Sequence, residues 1–254
     1  MAGAGQYFWV GIGQMCCFVS LNIIAFKFIK TKSKLASRLL FAIGLYLLVY
    51  KICEYTSYQI KGMHKQVPIE ISAVSYFLLG FSIVLRNKRL QVFAAFCGMF
   101  SGLFYNINFI ILPEMFILSR SSWFLLVMAT INHSLLYFGS IMVLKTVQFD
   151  KTDVMYVGLG TLLINLYSLG VQFLIKIDGK PIIMQVIDGT IIDKLSVALR
   201  SLSFFYPIYY FIIFSILIFM FASFFKINEL IFKRQKSSEL NCILDNQNES
   251  VDKS

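Results

Sequence analysis

Ser72, His133 and Glu70 are the residues of this sequence whose types could together perform nucleophilic chemistry. A serine hydroxyl is an effective nucleophile only when a base within hydrogen-bond reach accepts its proton. His133 is the only histidine within an apolar run, and Glu70 lies two residues before Ser72. These residues predict a catalytic site in which Ser72 is the nucleophile, His133 is the base, and Glu70 orients the imidazole or acts as an acid. Ser75, about one helical turn further on, is the alternative hydroxyl.

Other polar residues within apolar runs could bind a substrate. Lys51 and Glu54 are three residues apart, a spacing that favours an ion pair on one helix. Asn132 faces about 100° away from His133 on a helix, which favours a hydrogen bond to a different helix. The predicted substrate-binding residues are Glu54, Ser75, Asn132, Asn165 and Tyr209. Purely structural interpretations stay open, since Glu70 could cap a helix and His133 could be a packing residue.

The composition requires membrane-spanning elements to position these side chains. The chain has 254 residues, of which 58% are hydrophobic, 16% are aromatic and only 14% are charged, and its mean hydropathy is +0.74. A soluble domain carries roughly 25% charged residues. Long apolar runs, rather than the alternation of a membrane barrel, favour helices, because a lone span must satisfy its own backbone hydrogen bonds. The sequence therefore predicts an all-α, polytopic membrane helix bundle.

Seven apolar stretches are long enough to cross a bilayer, which takes about 20 residues. They are Tyr7–Ile29, Leu39–Tyr58, Pro68–Leu85, Leu90–Leu112, Trp123–Leu144, Val154–Ile175 and Leu202–Phe225. We expect one seven-helix transmembrane domain over residues 1–226 and a polar, disordered cytoplasmic tail over residues 227–254. The connection of residues 176–201 is long and semi-apolar, which favours a short hairpin or an interfacial helix.

The distribution of basic residues predicts how the bundle is oriented. The connections after the first, third and fifth spans, together with the segment after the seventh, are rich in Lys and Arg. The positive-inside rule then places the N-terminus outside and the C-terminus in the cytoplasm, as a multi-pass protein of the cell membrane. The net charge of +10 belongs mostly to these flanks, where it meets anionic headgroups. Membrane lipids are therefore the expected partners, and nucleic acid is not.

Depth within the predicted spans bears on the catalytic hypothesis. At about 1.5 Å per residue, Ser72 lies roughly 6 Å and His133 about 15 Å from the outer ends of their spans. The mismatch of roughly 9 Å could close by helix tilt or by moving a span boundary by one turn. Glu54, also roughly 6 Å deep, belongs to the same outer half of the membrane.

Small residues and cysteines indicate packing rather than chemistry. Gly98 and Gly102 form a GxxxG pattern, which favours close helix approach within the bundle over dimerisation. The five cysteines have neither metal-ligand nor disulfide spacing. The two histidines are too few for a metal site, so we predict neither a metal nor a cofactor. The oligomeric state stays open.

The order of several short motifs resembles the YwaF-type family of bacterial integral membrane proteins and their eukaryotic transmembrane relatives. The similar elements are Pro68-Ile69-Glu70-Ile71-Ser72, Gly98 and Gly102 followed by Pro113-Glu114, Asn132-His133, Asn165-Leu166-Tyr167 with Lys180-Pro181, and Pro207-Ile208-Tyr209. The resemblance covers about residues 35–226. It implies a helical membrane fold and lipid acyl transfer through a Cys and a His. Glu70 stands where the family's motif has a histidine, and Ser72 stands where it has the cysteine.

Three functions are compatible with the sequence. The first is a membrane lipid acyltransferase or lipid hydrolase that uses Ser72 and His133. The second is a transport or substrate-binding membrane component, in which the intramembrane residues Glu54, Glu70 and His133 line a path or bind a small solute. The third is a non-catalytic membrane protein whose polar residues only fix helix packing.

Overall fold

The computed structural model describes the backbone of residues 4–28, 34–118, 122–176 and 205–251, with side chains over most of these ranges. The described residues form helices without any strand, which confirms the all-α prediction. The helices are α1 (Ala4–Ile23), α2 (Lys34–Ile60), α3 (Ile71–Val84), α4 (Lys88–Ile111), α5 (Pro113–Leu118), α6 (Trp123–Thr146), α7 (Lys151–Ile175) and α8 (Phe205–Val251). A π-helical turn, Ile24–Phe28, continues α1. The predicted hairpin or interfacial helix after Lys176 lies outside the described residues.

Six of the described helices are long and apolar enough to cross a membrane, namely α1, α2, α4, α6, α7 and α8. The chain is therefore a polytopic helical membrane protein. α3 has only 14 residues, which rise about 21 Å against the roughly 30 Å of a hydrocarbon core. The span predicted from Pro68 becomes helical at Ile71, because Glu70 before it is in an extended conformation (φ −84°, ψ 148°).

The interface between α4 and α6 lies at the centre of the bundle. A Cβ atom on Gly98 would lie 2.5 Å from Ser140 Oγ, and one on Gly102 would lie 2.7 Å from the His133 carbonyl oxygen. These glycines let the two helices approach closely, as small residues do in membrane bundles. The expected role of the GxxxG pattern in internal packing is thus confirmed. The same close approach places the backbone of His133 on α6 level with Gly102 on α4.

Polar contacts hold several helix ends together on one side of the bundle. Lys145, near the end of α6, donates to the carbonyl oxygen of Ala25 over 2.6 Å, within the π-helical turn after α1. Lys88, at the start of α4, donates to Asp150 over 2.9 Å, just before α7 begins. The ends of α1 and α6 and the starts of α4 and α7 therefore share this side, which we call the basic end.

Asn228 anchors α8 to the connection between α6 and α7. Its amide donates to the carbonyl oxygens of Leu144 and Val147 over 2.7 and 2.9 Å, and its Oδ1 accepts from the Phe149 N–H over 2.9 Å. Asn228 is only 2% exposed, and the backbone of α8 is helical as far as Val251. Because this amide pairs three backbone groups of the turn, Asn228 packs against the bundle. The division into domain and tail stays a prediction.

Candidate functional site

Ser72 lies in the first turn of α3, two residues after Glu70 at the N-cap position. Its hydroxyl donates to Glu70 Oε2 over 3.4 Å, a long hydrogen bond. The Glu70 side chain makes no capping hydrogen bond to α3, so the interpretation of this residue as a helix cap lacks its main contact. The structure instead places the carboxylate beside the hydroxyl that we predicted as the nucleophile.

Ser75, the alternative hydroxyl, is completely buried. Its Oγ donates to the carbonyl oxygen of Ile71, one turn earlier in α3. Serine side chains inside helices commonly bond their own backbone in this way. The Ser75 oxygen is therefore enclosed by packing rather than open to a substrate.

His133 lies between two tyrosine rings. Its imidazole stacks on Tyr105, with ring centroids 3.8 Å apart and an angle of 6° between the planes. It also meets the Tyr76 ring edge-on, with the centroids 5.6 Å apart. Tyr76 is four residues after Ser72, about 6 Å further along α3. The structure thus gives Ser72 and His133 different neighbours, and their pairing as nucleophile and base stays a prediction.

Lys51 of α2 is enclosed by aromatic rings and a carboxylate. Its ammonium group forms an ion pair with Glu54, and the two side chains are only 13% and 24% exposed. The same Nζ lies 4.6 Å from the ring centroid of Tyr76 on α3. It lies 5.8 Å from the ring centroids of both Tyr50 and Tyr55, and ring faces attract ammonium groups at such distances. We call these five residues the Lys51 cage.

A second carboxylate lies near the cage. The Tyr58 hydroxyl donates to Glu54 Oε1 over 3.5 Å, and Tyr55 lies within electrostatic range of Glu54, Glu70 and Tyr167. Two carboxylates, those of Glu54 and Glu70, therefore lie near Tyr55 of the cage. Since Glu54 is near the end of α2 and Glu70 is at the start of α3, the cage belongs to the end of the bundle opposite the basic end.

Asn132 binds a different helix, as the sequence predicts. Its Oδ1 accepts from the Tyr46 hydroxyl of α2 over 3.1 Å, and the Tyr46 ring stacks on Tyr50 with the ring centroids 6.0 Å apart. Asn132 is only 3% exposed. Asn132 therefore reaches the cage only through Tyr46, which is not itself a member of the cage but stacks on Tyr50.

The remaining predicted substrate-binding residues lie on other helices. The Asn165 amide donates to the carbonyl oxygen of Thr161 over 2.7 Å, within α7. Tyr209 lies on α8, but its side chain is outside the described residues. The assignment of Asn165 and Tyr209 to a substrate site stays a prediction. Within the described ranges, no group of three or more His, Cys, Asp or Glu side chains could hold a metal ion.

Sequence reasoning found the ion pair of Lys51 with Glu54 but missed the aromatic enclosure. The signal was available on α2, where Tyr46, Tyr50, Glu54 and Tyr58 recur every four residues. Residues four apart share one face of a helix. The ring of Tyr76 comes from another helix, so its contribution depends on how α3 packs against α2.

In comparisons with known proteins, no family model, no curated protein and no solved structure matches the chain. The resemblance to the YwaF-type family therefore stays a prediction, and the function must be inferred from the geometry of the chain itself.

Proposed function

We propose that the protein is a substrate-binding or transport component of the cell membrane that binds a small organic cation at the Lys51 cage. The observation that carries this proposal is the enclosure of the Lys51 ammonium by the Glu54 carboxylate and three tyrosine rings. Ionisable residues inside membrane spans are costly, and they commonly mark the paths of solutes or ions. Lys51 is, in this proposal, a tethered cation that the ammonium group of a solute displaces.

The charges around the cage favour a cation over an anion. Glu54 and Glu70 bring two carboxylates to the surroundings of Tyr55. The aromatic rings add attraction for an organic cation, about 0.5–2 kcal/mol for each ring according to its exposure. A solute of the same charge can replace Lys51 without leaving the half-buried Glu54 carboxylate unpaired, which would be costly.

Binding of radiolabelled tetramethylammonium to the full-length protein in lipid nanodiscs tests this function. We expect saturable binding by the wild type. Glu54→Gln should weaken binding by at least about tenfold, because interactions with a charged group contribute about 1.5–3 kcal/mol. The measurement is the dissociation constant from equilibrium dialysis.

Glu229→Gln is the matched control for Glu54→Gln. Glu229 pairs with Lys226 at the same three-residue spacing, but the two side chains are 44% and 61% exposed. This substitution removes the same charge at a place far along α8, so binding should not change. Absence of saturable binding by the wild type, or equal losses in the two variants, contradicts the proposed function.

A second function, lipid acyl transfer or hydrolysis, is favoured by the hydrogen bond that Ser72 donates to Glu70. Glu70 would then accept the proton as the Ser72 oxygen attacks an acyl carbonyl, and would return it to the departing lipid alcohol as the ester C–O bond breaks. A serine-reactive fluorophosphonate probe should label the wild type in membranes but not Ser72→Ala. Ser215→Ala on α8, whose hydroxyl donates to Phe211, should still be labelled. An unlabelled wild type excludes this second function.

The proposed topology has seven spans, with α3 as a short third span, the N-terminus outside and the C-terminus in the cytoplasm. α3 runs antiparallel to α2, because Gly44 lies against Ile83 while Gly80 lies against Leu48. The cationic residues of the basic end then face the cytoplasm, and the cage lies near the outer surface. In a cysteine-less background, Met63→Cys should react with an impermeant thiol reagent added outside; protection of this residue contradicts the orientation.

A further inference from the structure

A groove of about 600 Å³ lies between α3, α4 and α7. Its walls are apolar over most of their length, and they include Val74, Leu78, Phe93, Leu163 and Ile164. Arg89 and Tyr156 line the same groove. Ligand pockets commonly have volumes of about 300–1,000 Å³. Because all three helices belong to the membrane bundle, lipid acyl chains are the molecules available to fill the groove.

The groove exists because α7 is fastened to the bundle at separate points. Asp150, just before α7, accepts a hydrogen bond from α4, and Ser168 near its other end donates to the Ile69 carbonyl oxygen over 3.1 Å. Between these points, Gly160 lets the Phe93 ring approach, since a Cβ atom there would lie 2.7 Å from the ring. Residues of α7 on both sides of Gly160, from Tyr156 to Tyr167, line the groove.

Arg89 gives one end of the groove its charge. Its Nη1 donates to the Tyr156 hydroxyl over 2.6 Å, and its Cζ lies 4.4 Å from the centroid of that ring. The neighbouring Lys88 pairs with Asp150 at 2.9 Å and with Asp153 at 3.5 Å. Those carboxylates are thus engaged by Lys88, whereas Arg89 forms no ion pair within the described ranges. A guanidinium has five donors, so Arg89 can bind an anion while it keeps its contact with Tyr156.

The length of the groove matches one leaflet of a bilayer. Tyr156 and Tyr167 both line it, and Tyr167 lies eleven residues after Tyr156 on the α-helix, which is a rise of about 16 Å. Half of a hydrocarbon core is about 15 Å thick. A single acyl chain can therefore run along the groove with its headgroup at the basic end, beside Arg89.

We propose that this groove binds one acyl chain of an anionic glycerophospholipid, with the lipid phosphate at Arg89. A planar guanidinium matches the geometry of phosphate oxygens. A zwitterionic choline headgroup would bring its own cation close to the Arg89 guanidinium, which disfavours it relative to an anionic headgroup. This site is independent of the Lys51 cage, because it shares no residue with it.

Native mass spectrometry of the full chain, mixed with equal amounts of phosphatidylglycerol and phosphatidylcholine of identical acyl chains, tests the proposal. The wild type should preferentially retain one phosphatidylglycerol. Arg89→Gln should reduce this retention by about tenfold, the effect of losing interactions with a charged group. Arg86→Gln is the matched control, since Arg86 is exposed three residues earlier and does not line the groove, and it should behave as the wild type does.

A second pair of variants tests the apolar part of the groove. Leu163 lines it and is 56% exposed, whereas its neighbour Leu162 is 55% exposed and lies outside it. Leu163→Trp should fill the groove and reduce the retention of both lipids, and Leu162→Trp should not. A melting transition equal to that of the wild type shows that each variant is folded.

Three outcomes would overturn the proposal. They are equal retention of the two lipids by the wild type, equal losses in Arg89→Gln and Arg86→Gln, and retention of detergent alone. If Leu163→Trp does not fold, the two arginine variants still decide the question, because both substitutions lie at exposed side chains.

Discussion

α4 and α7 have nearly the same length and a similarly apolar composition, but they occupy the bundle in different ways. They contain 24 and 25 residues, and both qualify as membrane spans. In the most apolar window of each helix, 61% of the α4 residues are buried but only 17% of the α7 residues are. Hydropathy thus selects both helices as spans and does not distinguish the central one from the peripheral one.

The difference follows from where the small and polar residues lie. In α4, Gly98, Gly102 and Asn106 recur every four residues and form one face against its neighbours. Asn106 is completely buried, and its Oδ1 accepts hydrogen bonds from Gln14 and Ser134. In α7, a Cβ atom on Gly158 would have no atom within 4 Å. Spacing of small and polar residues, rather than hydropathy, therefore indicates which helix lies at the centre.

Gly102→Ala should have the largest effect on this difference. Its Cβ atom would lie 2.6 Å from Tyr137 Cβ and 2.7 Å from the His133 carbonyl oxygen, so α4 and α6 must separate. We expect a loss of about 1–3 kcal/mol in the free energy of unfolding, as for overpacked cores. Gly158→Ala on α7 should be neutral or stabilise by about 0.5–1 kcal/mol, because alanine favours the helix. Denaturant titration in mixed micelles measures both, and similar losses would contradict the contrast.

Asn106→Leu should have the next largest effect. It leaves the buried Gln14 amide and the Ser134 hydroxyl without their shared acceptor. Polar contacts between membrane helices contribute about 1–2 kcal/mol in model peptides, and we expect a loss of this order in the same titration. Thr161→Val on α7 is the control, because that hydroxyl donates within its own helix to Val157. A neutral Asn106→Leu would show that the three-helix contact is not what centres α4.

Asp150→Asn tests the weakest part of the contrast, the exposed contact between the start of α7 and α4. Hydrogen bonds from Thr152 and Lys88 hold the pKa of the Asp150 carboxyl well below its usual range. The ionised form is therefore favoured in the folded state, so its stabilisation is present above a pH of about 4 and is lost as the pH falls further. At pH 7 the melting temperature of the wild type should be slightly higher than that of Asp150→Asn. This difference in melting temperature should become smaller towards pH 2. A difference in melting temperature that does not change with pH would mean that the charge of Asp150 does not stabilise this contact.

The sequence predicted the all-α membrane fold, because long apolar runs leave no other way to satisfy the backbone. It placed the start of the third span at Pro68, whereas the structure starts α3 at Ile71, since hydropathy does not register the extended conformation of Glu70. It also assigned Asn228 to the tail. Average composition cannot reveal that one amide bonds the turn between α6 and α7.

The candidate site could be predicted only where it depends on one helix. The pairing of Lys51 with Glu54 is such a case, because the three-residue spacing fixes it. The Tyr76 ring over Lys51 required the packing of α3 on α2. The pairing of Ser72 with His133 required a relative depth that sequence alone gives only to about one turn, and the structure places Tyr76 beside His133.

The affinity of the Lys51→Met variant for tetramethylammonium is the most direct test of the proposed site. It shows whether the Lys51 ammonium occupies a position in the Lys51 cage that a cationic solute can take. With the tethered cation removed, the Glu54 carboxylate and the three rings remain. We predict binding about tenfold tighter than in the wild type, since a contact of a cation with aromatic rings contributes about 0.5–2 kcal/mol. Glu54→Gln should change the affinity in the opposite direction. Binding by Lys51→Met that is weaker than, or equal to, that of the wild type would contradict the account.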